Sequence, residues 1–312
     1  MNIVVVDHVY LMDEHVRRLE GLGSLKVFGE PPETANELKK RIGEADIVIV
    51  GWSHLTRDVI ESARSLKMIS IWATTCHYAD CETARERGIV VTHVPGYASE
   101  AVAEHTFALL LAAVRRLPAA DRHVRNGFFD WRAFGGRELA GKTLGVIGTG
   151  AIGCRVAELG KAFGMRTLGY DKYPNSKKAA EVGLKYVGLS TLLKESDVVS
   201  LHVTLTPETE RMVGREEIGI MKQGAVVVNT SQGKVIDEKA LAEALKSGKI
   251  SSAGLDVFAE EPPVKENPLF RLDNVVLSPH VGFHTVESAK RCTDICIDNV
   301  ATFIEGHIQN TC

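Results

Sequence analysis

The residues Gly148-Thr149-Gly150-Ala151-Ile152-Gly153 carry the first chemical signal in this 312-residue chain. The apolar run Thr143 to Ile147 precedes them as a buried strand, and Arg155 to Ala162 follows with helical spacing. A second apolar run ends at Tyr170-Asp171. Strand, glycine turn, helix, strand and acid, in that order, make a phosphate cradle. Gly148 permits the tight turn, Gly150 lets a pyrophosphate approach the backbone, and Gly153 lets the helix pack close to the strand. The helix N-terminus offers free N–H groups and a positive dipole end. Asp171 follows Gly153 by 18 residues, near the ~20 expected of a carboxylate that binds a ribose diol. A carboxylate there repels a 2′-phosphate, so the pattern favours NAD over NADP.

Polar residues cluster at three later strand ends. One strand ends Asn229-Thr230-Ser231-Gln232-Gly233, and the next ends Gly254-Leu255-Asp256-Val257-Phe258 with Glu260-Glu261-Pro262 after it. The third ends Ser278-Pro279-His280-Val281-Gly282. Ligands of open α/β sheets bind at the carboxyl ends of strands. A His and a Glu on adjacent ends can meet there, and a carboxylate beside an imidazole fixes its tautomer and raises its pKa. Such a pair gives up a proton as hydride arrives and takes one as hydride leaves.

Two sets of alternating strands and helices must position these groups. The first contains Ile3 to Val6, Asp46 to Val50, Met68 to Trp72 and Ile89 to Val91, within a unit of about five strands. The second contains Thr143 to Ile147, Arg166 to Tyr170, Asp197 to His202, Ala225 to Asn229, Ser252 to Asp256 and Val275 to Ser278. A helix from Ser99 to Leu117, stopped by Pro118 and apolar all round from Phe107 to Val114, reads as a crossover between domains and as a dimer surface. A last helix, Val286 to Ile304, returns to the first domain. The expected division is 1–98 with 286–312 for the substrate domain and 99–285 for the nucleotide domain.

Bulk properties exclude other classes. A net charge of -3, with 45% hydrophobic and 25% charged residues, gives no reason to propose a nucleic acid or membrane partner. The chain enters directly as a strand, without a leader-type segment, so the cytoplasm is expected. Six scattered cysteines form no CxxC pair. Cys292 and Cys296, one helical turn apart, read as packing thiols rather than metal ligands, and no metal site is expected.

Taken together, the motifs resemble the D-isomer-specific 2-hydroxyacid dehydrogenase family over nearly the whole length. The resemblance rests on Val94-Pro95-Gly96-Tyr97, on Val102-Ala103-Glu104-His105-Thr106, and on the run from Leu139 to Gly153. The strand Ser196 to Val203, Gly254 to Pro263 and Ser278 to Gly282 complete it. It implies two doubly wound α/β domains, a Rossmann NAD-binding domain inserted into a flavodoxin-like catalytic domain, a homodimer, and reversible NAD-linked reduction of 2-oxoacids. By that resemblance His280 is the acid/base and Glu261 the carboxylate that orients it. Asp171 holds the adenosine ribose, and Ala151 and Ile152 lie against the pyrophosphate. Thr74, Val203, Thr230, Asp256 and Gly282 line the cofactor.

The departures from the family pattern matter as much. Relatives usually read Asn-x-x-Arg-Gly at the fourth strand end, where Arg grips the substrate carboxylate; here the position is Gln232. Glutamine donates a hydrogen bond but has no charge and no fork. The loop Ala73 to Asp80 places Thr75, Cys76, His77 and Tyr78 where relatives carry a glycine-bearing substrate loop, and His284 follows the SPHVG run. Two explanations of Gln232 stand open: a pocket rebuilt for another substrate, or a substitution introduced into a conventional enzyme. A catalytically retired NAD-sensing protein, and a non-redox use of bound NAD, are the remaining alternatives.

Overall fold

Unbroken apolar runs become inner strands, because only burial on both faces removes that much hydrocarbon from water. The computed structural model of the protein describes residues 1–312. It divides into two compact units, 1–98 with 284–312 and 99–283.

The first unit holds strands β1 (Asn2–Val5), β2 (Ser24–Val27), β3 (Ile47–Val50), β4 (Met68–Ile71) and β5 (Val90–Thr92). Their order is β2-β1-β3-β4-β5, and every pairing is parallel. That is the flavodoxin-like order. β3 and β4 are buried at every position. β2, which sequence reading does not find, is a short edge strand with Ser24, Lys26 and Val27 exposed. An edge strand needs no unbroken apolar run, so its pattern is weak. The helix Val286–Ile304 packs on β4 and on the helix Asp13–Leu22. Thr293 on it accepts a hydrogen bond from the Trp72 indole at 2.9 Å. Cys292 and Cys296 lie inside this packing, 0% and 1% exposed, and burial pushes the Cys296 thiol up to about 12.

The second unit holds β6 (Thr143–Ile147), β7 (Arg166–Tyr170), β8 (Lys185–Tyr186), β9 (Val198–Leu201), β10 (Ala225–Asn229), β11 (Ile250–Leu255) and β12 (Val275–Leu277). Their order is β12-β11-β10-β9-β6-β7-β8, again all parallel. The chain runs outward in one direction from β6 and in the other from β9. The switch point of this doubly wound sheet therefore lies between them, where such sheets bind ligands.

The long apolar helix ends earlier than its sequence reading places it. It spans Ser99–Val114, and Pro118 begins a new helix, Leu117–Arg125, rather than merely ending the old one. Proline suits a first turn, whose N–H groups have no intrahelical partner. The apolar helix is also buried largely within its own unit, against β10, β11, β12 and the helix Ala151–Ala162. The exposed apolar surface comes just after it: Phe128, Phe129 and Trp131 are 61%, 96% and 83% exposed.

Gly254 sets how closely that helix sits on β11, because a Cβ there would lie 2.8 Å from the Cβ of Leu109. Gly254→Val is expected to lower unfolding stability by about 1–3 kcal/mol through overpacking. Urea denaturation followed by tryptophan fluorescence measures it; an unchanged midpoint would show that the helix is free to move outward.

Candidate active site

The glycine turn follows β6 directly. Gly148 has φ +88°, and a Cβ there would meet the carbonyl of His202 at 2.4 Å, so only glycine fits without strain. At Gly153 a Cβ would lie 1.9 Å from the Gly148 carbonyl oxygen, so the helix Ala151–Ala162 packs against its own entry turn. Gly150 differs. A Cβ there meets no atom within 4 Å, and no side chain caps this helix end. The N–H groups of its first turn have no intrahelical partner. Open space beside uncapped N–H groups is what a pyrophosphate requires, so the cradle fits a dinucleotide.

Asp171, one residue past β7, accepts hydrogen bonds from the Thr149 N–H at 2.7 Å and from the Tyr173 N–H at 2.9 Å. It thereby ties the glycine turn to the end of the next strand. Thr149 Oγ1 reaches the Tyr186 hydroxyl at 2.7 Å. At the end of β9, His202 bonds Ser200 through Nε2 at 2.7 Å, while its enclosed Nδ1 has no protein partner. Burial lowers its pKa to about 3, so the ring is neutral. An orphaned polar atom beside the cradle is consistent with a ligand completing it. Val203 stands next to Gly148, its Cγ1 2.8 Å from where a Cβ would project.

At the β10 end, Asn229 shapes the turn: its Oδ1 accepts from Ser231 N–H at 3.0 Å, and its Nδ2 donates to the Gln232 carbonyl at 2.9 Å. The exposed Gln232 side-chain amide makes no hydrogen bond within the protein. A Cβ on Gly233 would meet the Phe258 carbonyl at 1.9 Å, so this turn lies directly against the chain leaving β11. The Thr230 hydroxyl is engaged by Thr106 at 2.8 Å.

His280 and Glu261 come together. His280 Nδ1 lies 2.7 Å from Glu261 Oε2, and Glu261 Oε1 accepts from the Phe258 N–H at 3.0 Å. With the proton on Nδ1 shared toward Glu261, Nε2 is the nitrogen left for chemistry. His280 has φ +55°, a left-handed backbone that a bulky residue rarely adopts and that is held here by its surroundings.

Those surroundings centre on Asp256, which is 2% exposed. Its carboxylate accepts from Ser278 Oγ at 2.5 Å, Val281 N–H at 2.9 Å and Gly282 N–H at 2.8 Å, and its carbonyl accepts from His280 N–H at 2.8 Å. His105 Nε2 lies 3.3 Å from the same carboxylate and 2.9 Å from Ser278 Oγ. Burial alone pushes this carboxyl up. The hydrogen bonds from His105, Ser278 and the two N–H groups outweigh it and hold the group well below the usual carboxylate range. Asp256 is thus engaged by protein partners, and through them it positions the His280 turn. Sequence reading misses this role, and with it His105 and Glu238. Glu238 accepts from Ala259 N–H at 2.6 Å and Asn267 Nδ2 at 3.0 Å, bracing the loop that carries Glu261. Only the spacing of strand ends could have hinted at these partners.

The remaining candidates lie in the first unit. Thr74 accepts at its carbonyl from the His93 ring at 2.8 Å. Thr75 Oγ1 and His77 Nδ1 are 2.6 Å apart. His77 packs on Tyr78 with ring centroids 4.1 Å apart and the rings tilted, and His54, absent from the sequence reading, joins them at 5.9 and 5.2 Å. Burial, helped by His54, holds the His77 imidazole below its ordinary range, so the ring stays neutral near pH 7. Burial and the nearby Asp7 push the Tyr78 phenol up. Cys76 is not a free thiol: it forms a disulfide with Cys312, which sequence reading does not anticipate. His284 is exposed.

Residues 107–282 match the family model described as D-isomer specific 2-hydroxyacid dehydrogenase, NAD binding domain. The chain is 43% identical over 310 residues to a D-3-phosphoglycerate dehydrogenase of Methanocaldococcus jannaschii, covering 99% of this chain and 58% of that protein. It is 42% identical over 284 residues to a glyoxylate reductase of Korarchaeum cryptofilum, covering 89% of this chain and 86% of the other. Among solved structures, an acyclic imino acid reductase (Bsp5) in complex with NADPH and D-Arg superposes with a TM-score of 0.89 at 33% identity, over the full length of both chains.

Because its folded pKa is depressed, Asp256 contributes stability above the unfolded value, and that contribution is lost as pH falls through the folded one. Asp256→Asn is expected to lower stability at neutral pH by about 1.5–3 kcal/mol, the range of a hydrogen bond to a charged group. The gap between wild type and variant should narrow below about pH 4. Urea titrations across that range test it; a gap independent of pH would show that the charge is irrelevant.

Proposed function

The chain belongs to the D-isomer specific 2-hydroxyacid dehydrogenase family, and from that premise we propose that it reduces a small 2-oxoacid or a close analogue with NADH, His280 acting as the acid/base. The observation that carries this reading is the 2.7 Å His280–Glu261 contact, on the same sheet edge as the glycine cradle. Gly148, Gly150, Ala151, Ile152 and Gly153 would hold the pyrophosphate, with Asp171 toward the adenosine ribose and Val203, Thr230 and Gly282 along the path to the nicotinamide. When bound, the cofactor supplies hydride to the carbonyl carbon. His280 Nε2 donates the proton to the carbonyl oxygen, and Glu261 keeps the other proton on Nδ1 and stabilises the charged ring. Gln232 donates its amide N–H to the substrate. Thr75, His77, Tyr78 and His284 are the proposed substrate-side groups of the first unit, and Thr74 its cofactor contact. A purely NAD-sensing role gives no reason for an oriented His–Glu pair.

The chain spans 58% of the length of the phosphoglycerate dehydrogenase it matches. Gln232 favours a second reading. An arginine beside a reacting C=N bond would repel its protonated form, whereas a neutral amide accepts from N–H and donates to a carboxylate at once. The solved structure named as an imino acid reductase gives this reading a relative of the same fold.

No helix is long and apolar enough to cross a membrane, and we place the enzyme in the cytoplasm, where an NAD pool is available. The exposed Phe128, Phe129 and Trp131 suit an obligate contact better than solvent, so the active form is proposed to be a homodimer that buries this segment. Phe129→Glu with Trp131→Glu should shift the protein to a monomer in sedimentation; a wild type that is already monomeric defeats the proposal.

The test of function uses NADH with glyoxylate and, separately, with a pyruvate–methylamine mixture. His280→Ala should lower kcat by about 10²–10⁴ while NADH binding by fluorescence is retained; unchanged turnover removes His280 from the mechanism. Gln232→Arg should raise kcat/KM for glyoxylate by about 10- to 200-fold, the scale of one charged hydrogen bond. If turnover of the amine mixture exceeds that of either keto acid alone and is lost in Gln232→Arg, the imine reading holds.

A further inference from the structure

The disulfide Cys76–Cys312 joins two segments of the first unit. Residues 310–312 run beside β5: His93 N–H donates to the Asn310 carbonyl at 2.9 Å, Cys312 N–H to the Val91 carbonyl at 3.0 Å, and Thr92 bridges Thr311. Asn310 Nδ2 also reaches Asn299 Oδ1 at 2.8 Å. This segment is therefore anchored independently of its cysteine. The loop between β4 and the helix Cys81–Glu86 is pinned at its two ends. Val94 N–H donates to the Ala73 carbonyl at 2.8 Å, Leu55 N–H to the Tyr78 carbonyl at 2.8 Å, and Asp80 N–H to the Leu55 carbonyl at 2.9 Å. Cys76 stands in the middle of the loop, between Thr75 and His77, and its sulfur ties that middle to the β5 edge.

We propose that the Cys76–Cys312 pair is a reversible redox latch that sets the position of Thr75, His77 and Tyr78, and so the affinity of the enzyme for its substrate. The proposal rests on the reading of this loop as substrate-binding. Cys312 is exposed and Cys76 half-buried, so an attacking thiolate has access to the Cys312 sulfur, with Cys76 as the leaving group. The reductant is a dithiol. It gives up two electrons and two protons and becomes a disulfide, while the protein S–S bond breaks to two thiols. A small-molecule disulfide reverses the exchange. Disulfides of cytosolic proteins are mostly transient and redox-sensing rather than structural, which fits the proposed compartment. After reduction the 310–312 segment keeps its backbone hydrogen bonds, while the loop middle loses its covalent tie. The ring cluster of His54, His77 and Tyr78 then loosens from the His77 side.

The experiment compares air-oxidised full-length protein, the same protein treated with dithiothreitol, and Cys312→Ser. Thiol titration should find two more reactive thiols after reduction. Reduction should raise KM for glyoxylate by about threefold or more, the effect of losing one net hydrogen bond, with the NADH dissociation constant unchanged. Cys312→Ser should behave as the reduced wild type and ignore dithiothreitol. Hydrogen exchange of the amides of residues 75–78 reads the latch without any substrate: faster exchange on reduction supports it even if glyoxylate proves not to be turned over, an outcome that would count against the functional reading alone. Unchanged exchange on reduction, failure of the pair to oxidise, or a Cys312→Ser variant that still responds to dithiothreitol overturns the latch.

Discussion

The buried carboxylate of Asp256 is the interaction on which the second unit's chemistry depends. A charged group at 2% exposure survives only if its lone pairs are fully engaged. Here the partners come from two elements: His105 on the long helix, and the segment just past β12, which supplies the Ser278 hydroxyl and the N–H groups of Val281 and Gly282. They clamp both sides of His280 and hold its backbone at positive φ. The imidazole is thereby aimed by main-chain constraint before Glu261 touches it. Glu261 in turn sits in a loop braced by Glu238. The His280–Glu261 pair, carried on two loops, is thus fixed in place by groups outside the pair itself.

The same sheet edge gathers the glycine turn, His202, Gln232, Glu261 and His280 from strand ends in lateral order β6, β9, β10, β11, β12. The order is a consequence of winding. Strands added outward on either side of β6 and β9 leave one crevice at the carboxyl edge, and everything that follows a strand ends up along it. Gln232, on the turn after β10, places a neutral, exposed amide in the middle of this row. A neutral amide donates and accepts hydrogen bonds at once and carries no charge.

The first unit follows a different logic. Its candidate substrate loop carries side chains in place of glycine backbone, and three of the rings concerned, His54, His77 and Tyr78, pack on one another. Burial keeps His77 neutral and Tyr78 protonated. A surface of neutral rings and hydroxyls takes its shape from the path of the loop, whose centre is tied covalently at Cys76.

What the amino-acid order determines by itself is local. Apolar runs and glycine spacing are enough to place β6, the cradle and β7, because each is decided by contacts among near neighbours. The inner strands β3, β4, β9 and β10 are equally legible, since burial on both faces demands unbroken apolar sequence. Edge strand β2 and two-residue β8 are not, because little burial means little pattern. Tertiary structure decides the rest. Nothing local joins Asp256 to His105, or Cys76 to Cys312, 236 residues apart. The all-round apolarity of Ser99–Val114 suggests a subunit surface, yet the unit's own sheet covers most of that helix, and the exposed apolar residues lie beyond Pro118. Pairwise contacts across long sequence separation leave no periodic trace in either segment, so only the folded chain reveals which polar groups share a charge and which sulfurs meet.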